Sequence, residues 1–150
     1  MKNALIAGVT AVVAFVLVGT AMTAVTPAAR SVAVTTARTE LGRIIVDGRG
    51  RSLYLFEKDM HGRSACSGVC AAYWPPLLTN GRSIAIKGAK PSLLGSIRRA
   101  DGSRQVSYAG HPLYFFSGDT RRGQTNGEGL QDFGAGWYAL APSGKKIDRN

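Results

Sequence analysis

Two cysteines, two histidines and nine acidic residues are all that the chain carries of the side chains from which most catalytic and metal centres are built. No Gly-x-Ser-x-Gly elbow, no His-Glu-x-x-His pair and no phosphate-cradling glycine loop occurs, so the sequence offers no ground for the hydrolases and nucleotide enzymes that depend on them. The acidic residues form no close pair in a hydrophobic setting. Glu57 and Asp59 share a strand face, but Lys58 between them and the exposed strand end point to a surface position. No run of five or more basic residues exists and no recognition motif is present, which argues against nucleic acid as a partner. Helix-favouring runs are few. Neither cysteine lies in the first 30 residues, so lipid attachment through an N-terminal cysteine is excluded.

What the first 30 residues do contain is a basic start at Lys2, an apolar run from Ala4 to Val18, and a segment rich in small residues from Gly19 to Ala29. That layout is the one of a secretory signal peptide. The 27 residues between Lys2 and Arg30 are uncharged, and a bilayer core takes about 20 apolar residues in a helix. Residues 1–29 are therefore expected to form a hydrophobic signal peptide, or an uncleaved membrane anchor over residues 4–26. Either outcome places residues 30–150 outside the cytoplasm. The remaining stretch of roughly 120 residues suits one domain, and 19 glycines favour strands and turns over helices. The net charge is +10, with basic pairs at Arg98-Arg99, Arg121-Arg122 and Lys145-Lys146. A solvated surface accounts for that charge, as does attraction to acidic lipid head groups or wall polymers.

The chain also repeats itself. At an offset of 60, Gly42 meets Gly102, Val46 meets Val106, Gly50 meets Gly110, Leu53-Tyr54 meets Leu113-Tyr114, Phe56 meets Phe116 and Asp59 meets Asp119. The register then slips, and Trp74 pairs with Trp137. A duplicated unit follows, repeat one at about 32–80 and repeat two at about 92–144. Each reads as a hairpin: residues 43–46 and 52–56 around a glycine turn, then 105–108 and 112–116 around Ala109-Gly110. Leu93 to Arg98 forms a further strand leading into Asp101-Gly102, and Val32 and Val34 hold the matching place in repeat one. Trp137 to Leu140 is another strand. Ser67 to Tyr73 is the one short helix, ended by Pro75-Pro76. Leu53 to Phe56 and Leu113 to Phe116 are apolar at successive positions, so both faces of these strands are covered. The expected fold is all-β, with two tandem hairpin units packed as one small barrel or sandwich with pseudo-twofold symmetry.

Tyr54-Leu55-Phe56-Glu57-Lys58-Asp59 and Tyr114-Phe115-Phe116-Ser117-Gly118-Asp119 carry a Tyr-x-aromatic-x-x-Asp motif. With Gly62, Ser64, Cys66 to Cys70, Trp74-Pro75-Pro76-Leu77 and Gly136-Trp137-Tyr138, the chain resembles the bacterial family of secreted-repeat proteins and predicted lipoproteins of unknown function. The resemblance runs over about residues 32–144. It implies export and a repeat fold, and it supplies no reaction. This chain departs from the lipoprotein pattern by lacking the lipid-bearing cysteine.

Several residues invite a site. Tyr54 and Tyr114 read as core side chains with hydroxyls reaching a partner at the sheet edge, or as ligand contacts. Asp59 and Asp119 end their strands and are placed to fix the following turn through backbone N–H groups. Cys66 and Cys70, in an oxidising compartment, are expected to form a disulfide worth about 2 kcal/mol for so short a loop. The rival is a copper or zinc site, or an electron-transfer centre, using His61, Cys66, Cys70 and His111. Asp119, Asn126 and Glu128 offer oxygens for calcium, with Arg121 and Arg122 opposing the ion. Trp74 and Trp137 either plug the repeat cores or, with Arg82 and Lys145, make an exposed binding patch. The expected function is a non-enzymatic exported domain, without cofactor, that binds an anionic envelope polymer or lipid or another envelope protein.

Overall fold

The computed structural model describes residues 31–60 and 62–148. The expected N-terminal signal or anchor helix, and His61, lie outside them. Among the described residues no helix is long and apolar enough to cross a membrane. The chain runs β1 (Val32–Thr39), β2 (Gly42–Asp47), β3 (Tyr54–Phe56), α1 (Val69–Tyr73), β4 (Ser83–Ala85), β5 (Leu94–Arg98), β6 (Arg104–Tyr108), β7 (His111–Pro112), β8 (Gln131–Asp132) and β9 (Ala135–Ala139). These strands form three three-stranded sheets, ordered β2-β1-β4, β3-β9-β8 and β5-β6-β7. Of the barrel and the sandwich expected, no closed barrel is formed among the described residues. Short hairpins with tight turns leave each sheet only three strands wide, and the sheets meet through side chains and single bridges.

Two turns show how sequence sets these hairpins. Ala109-Gly110 joins β6 to β7 and Phe133-Gly134 joins β8 to β9, with φ of 51°, 82°, 57° and 89° in that order. Positive φ at both central residues matches the right-handed twist of the flanking strands, and the glycine supplies half of it without steric cost.

The two repeats are joined by reciprocal strand exchange. The tail of repeat one, Trp74 to Leu77, pairs inside repeat two: the Leu77 N–H donates to the Leu113 carbonyl at 2.9 Å and the Val106 N–H to the Leu77 carbonyl at 2.8 Å. The tail of repeat two, β9 with Leu140, pairs inside repeat one. There Phe56 faces Trp137 and Tyr54 faces Ala139, and the Ile45 N–H donates to the Leu140 carbonyl at 2.8 Å. At the centre, the Tyr54 N–H donates to the Tyr114 carbonyl at 2.9 Å and the Tyr114 N–H returns the bond at 3.0 Å, which marks the pseudo-twofold axis.

This pairing also corrects the repeat register. Leu53 bonds to Ile45 as Leu113 bonds to Val106, so Ile45, and not Val46, is the counterpart of Val106. The β5–β6 turn has one residue more than the β1–β2 turn, and the next turn has one residue fewer. The two differences cancel, and the ungapped match hides both.

Along the central ribbon, alternate side chains enter two separate cores. Leu53, Leu55 and Leu113 join an aliphatic cluster with Val34, Ile45, Leu77, Val106 and Leu140. Tyr54, Phe56 and Tyr114 join an aromatic cluster with Ile44, Trp74, Trp137 and the two cysteines. Both clusters draw residues from both repeats.

Candidate functional site

The residues of the repeated motif converge on the axis. The Tyr54 hydroxyl donates to Asp119 Oδ2 at 2.5 Å, and the Tyr114 hydroxyl donates to Asp59 Oδ2 at 2.8 Å. Each tyrosine thus reaches the aspartate of the other repeat. The second oxygen of each carboxylate pins its own following loop, accepting from the Ala65 N–H at 2.7 Å and the Asn126 N–H at 2.9 Å. Four aromatic rings line up beside these pairs in the order Phe56, Trp137, Trp74, Phe116, with centroid separations of 4.0, 3.9 and 4.5 Å, the first three stacked and Phe116 tilted by 33°. Tyr54 meets Trp74 edge-on, as Tyr114 meets Trp137. Both tryptophans are fully buried. The exposed patch with Arg82 and Lys145 is therefore corrected: the indoles are core, packed on each other and between Phe56 and Phe116.

Burial pushes both phenols well above their ordinary range, and the facing carboxylates add to the shift. They stay protonated as hydrogen-bond donors, which is the state the carboxylates need. The Asp59 carboxyl is pushed up to about 6 by burial, against the opposing pull of the Ala65 N–H, the Tyr114 hydroxyl and the Arg99 charge. Its folded value lies above that of the unfolded chain, so between about pH 4 and pH 6 the folded state holds an extra proton. The contribution of Asp59 to stability is therefore complete below that window and lost as pH rises through it. Allowing for partial exposure, the change is about 1–2 kcal/mol. Urea midpoints measured at pH 4.5 and 7 should show the wild type losing more stability than Asp59→Asn on going to the higher pH. Equal changes in the two proteins would refute the assignment.

A second buried group, centred on Arg99 of repeat two and reaching into repeat one, was missed by sequence reading. Arg99 donates from Nη1 to Ser64 Oγ at 2.9 Å and Gln105 Oε1 at 2.6 Å, and from Nη2 to the Cys66 carbonyl at 2.6 Å. The Ser64 hydroxyl also donates to the Tyr114 oxygen at 2.7 Å, and Gln105 Nε2 donates to the Leu113 carbonyl at 2.8 Å. The signal was present: Gln105 stands where repeat one has Ile44, a polar residue in a buried strand.

Cys66, just ahead of α1, is bonded to Cys70 in the first turn of that helix. A disulfide sulfur is not a thiolate, so Cys66 and Cys70 in this state do not supply the thiolates of the copper or zinc set, of which His61 lies outside the described residues; His111 is half-buried. It lines a cavity of about 240 Å³ with Leu55, Phe56, Glu57, Asp59 and Lys146, and burial lowers its pKa. A cavity of about 180 Å³, lined by Arg51, Phe115, Phe116 and Asp119 among others, is its pseudo-twofold counterpart, with Arg51 in the place of His111. The calcium set is likewise corrected. Asp119 serves Tyr54 and Asn126, while Glu128 Oε2 accepts from the Ala139 N–H at 2.7 Å, so the oxygens are directed at separate donors. Among the described residues no group of three or more acidic, histidine or cysteine side chains is arranged to hold a metal.

The motif thus builds a buried clamp, and its outer oxygens hold two exposed loops. Loop 59–65 leads into the disulfide. Loop 119–126 carries Arg121 and Arg122 beside an open groove of about 490 Å³, lined also by Glu40, Gln124, Thr125 and Asn126.

A family model described as a secreted repeat of unknown function matches residues 35–78 and 95–141. No curated protein and no solved structure matches the chain.

Proposed function

The chain belongs to the family of secreted repeats of unknown function, and from that premise we propose that its repeat domain is a non-enzymatic exported module binding an anionic component of the cell envelope. The observation that carries this reading is how the two signs of charge are used. Most acidic side chains are engaged by N–H groups, hydroxyls or a basic side chain, even where they are exposed, as Glu57, Asp101 and Asp148 are. Asp47 accepts from the Arg49 and Arg51 N–H groups and from the Arg51 side chain. Asp59 and Asp119 serve the clamp, Glu128 a strand N–H, and Asp101 the Ser103 turn. Glu57 and Asp148 share Lys146. Arg38, Arg43, Arg49, Arg98, Arg121 and Arg122 are exposed. With a net charge of +10, the protein presents a cationic exterior to any polyanion it meets.

A non-enzymatic role is supported by the fate of the motif itself. Its phenols are held protonated, and each is committed to a carboxylate of the other repeat.

Sedimentation with phosphatidylglycerol vesicles and with a soluble wall polyanion, across a salt series, tests the reading. Binding at low ionic strength should fall by about tenfold or more between 50 and 300 mM salt, as screening shortens the reach of the surface charge. No binding at low salt, or binding indifferent to salt, would refute it.

A further inference from the structure

Resting on that reading, we propose that the groove beside residues 119–126 is the anion-binding site, and that its ligand is a phosphodiester-linked envelope polymer. The loop that carries the charges is held from three directions. Asp119 Oδ1 accepts from the Asn126 N–H at 2.9 Å. Gln124 Oε1 accepts from the Arg121 N–H at 2.8 Å, and its carbonyl accepts from Ser52 Oγ at 2.5 Å. The Gly123 N–H donates to the Gly50 carbonyl at 3.2 Å. Arg121 and Arg122 are both exposed and stand on a backbone that is already ordered, so binding need not order the loop.

The same contacts bring in repeat one. Gly50 lies against Arg122, with 3.5 Å from a Cβ built on Gly50 to Arg122 Cβ, and Arg49 precedes it in the chain. Arg51 is spoken for, since it is bonded to Asp47 and lies 3.9 Å over the Phe115 ring. Glu40 is the one acidic side chain in the lining, against two guanidinium groups.

Ligand class follows from the donors. A guanidinium presents parallel N–H groups that match the two non-bridging oxygens of a phosphodiester. Around the arginines, Thr125 and the Gln124 and Asn126 amides add further polar groups, which a tetrahedral phosphate uses more fully than a planar carboxylate. A bilayer is the weaker fit. Membrane-binding faces set apolar side chains beside basic ones, and none of the large exposed apolar residues, such as Met60, Val69 and Tyr73, lines this groove. Repeat one has no equivalent, because its matching loop leads into the disulfide and carries Arg63 without a second arginine beside it.

The test is calorimetric titration of the full chain with poly(glycerol phosphate) oligomers at 50 mM salt. Arg121→Gln with Arg122→Gln should weaken binding by about tenfold or more. Arg98→Gln with Arg104→Gln, an equal loss of charge on the β5–β6 hairpin, should weaken it less than about threefold. Melting curves for both variants matching the wild type would exclude misfolding. Equal losses in the two variants would overturn the site and leave the general cationic reading standing, whereas no binding of any polyanion by the wild type would overturn both. A uronate polymer bound as tightly as the phosphate polymer would overturn the ligand class. Binding to phosphatidylglycerol vesicles without binding to the polymer would replace it with a membrane.

Discussion

Residues 31–88 and residues 89–150, produced separately, are each expected to be unfolded, and to recover a cooperative β fold only when mixed. The expectation rests on the strand exchange. Repeat one alone lacks β9, so β3 has no hydrogen-bonded neighbour in its sheet, and Ile45 loses Leu140. Repeat two alone lacks the Trp74 to Leu77 tail that Val106 and Leu113 bond to. Each half would keep one phenol and one carboxylate, with neither facing its partner. A chain of about 60 residues buries too little surface to be comfortably stable even when its core is complete, and here the aliphatic core divides five to five between the halves and the aromatic core seven to three. Circular dichroism and urea titration of each half, then of the equimolar mixture, would decide the matter. A cooperative transition in either isolated half would show that the repeats are autonomous and that the exchange is incidental.

The second large effect is expected from Trp137→Ala. This indole stacks on Trp74 at 3.9 Å and on Phe56 at 4.0 Å, and it meets Tyr114 edge-on at 5.2 Å. Its Nε1 donates to the Asp132 carbonyl at 3.1 Å, which ties the β8–β9 hairpin to the core. Truncation of a large buried aromatic costs about 3–5 kcal/mol, because the surroundings close only partly over the space left behind. In a domain of this size that corresponds to a fall in Tm of roughly 10–20 °C. Tyr73→Ala provides the comparison. That ring is 56% exposed, and its loss should stay within about 0.5 kcal/mol. Thermal melts of the two variants giving similar shifts would contradict the picture of a central aromatic stack. Trp137→Phe should recover part of the loss, since a smaller ring still fills some of the space between Phe56 and Trp74.

Much of the local structure could be read from residue order. Leu53 to Phe56 alternates between the aliphatic and aromatic cores as expected of a strand covered on both faces, and the Ala109-Gly110 turn lies where the hairpin demanded one. The aspartates were legible as turn-fixing groups, since a carboxylate at a strand end with N–H groups following has few cheaper partners. The tyrosines were legible as buried, because a phenol within an apolar run is carried inward by its neighbours.

What residue order could not convey is which repeat supplies each partner. Strand periodicity reports the face a side chain takes and is silent about what it meets there. Tyr54 with Asp59 and Tyr54 with Asp119 are equally consistent with two identical motifs, and only the folded chain distinguishes them. The exchange of tails has the same origin, because Trp74 to Leu77 could pair with either hairpin. The tryptophans were ambiguous for a related reason: a Trp-Pro-Pro sequence breaks regular structure, which is as compatible with a surface rim as with a tail threaded into another unit. The apparent register at Val46 and Val106 misled because two one-residue differences in turn length cancel within the hairpin.

The strand that completes the sheet of repeat one, β9, follows most of repeat two in the chain. Nothing synthesised before residue 135 can close the sheet around Tyr54, and many of the core contacts span most of the chain. Such long-range closure is slow to nucleate. The part of the fold that is made first therefore stays open until β9 has been synthesised.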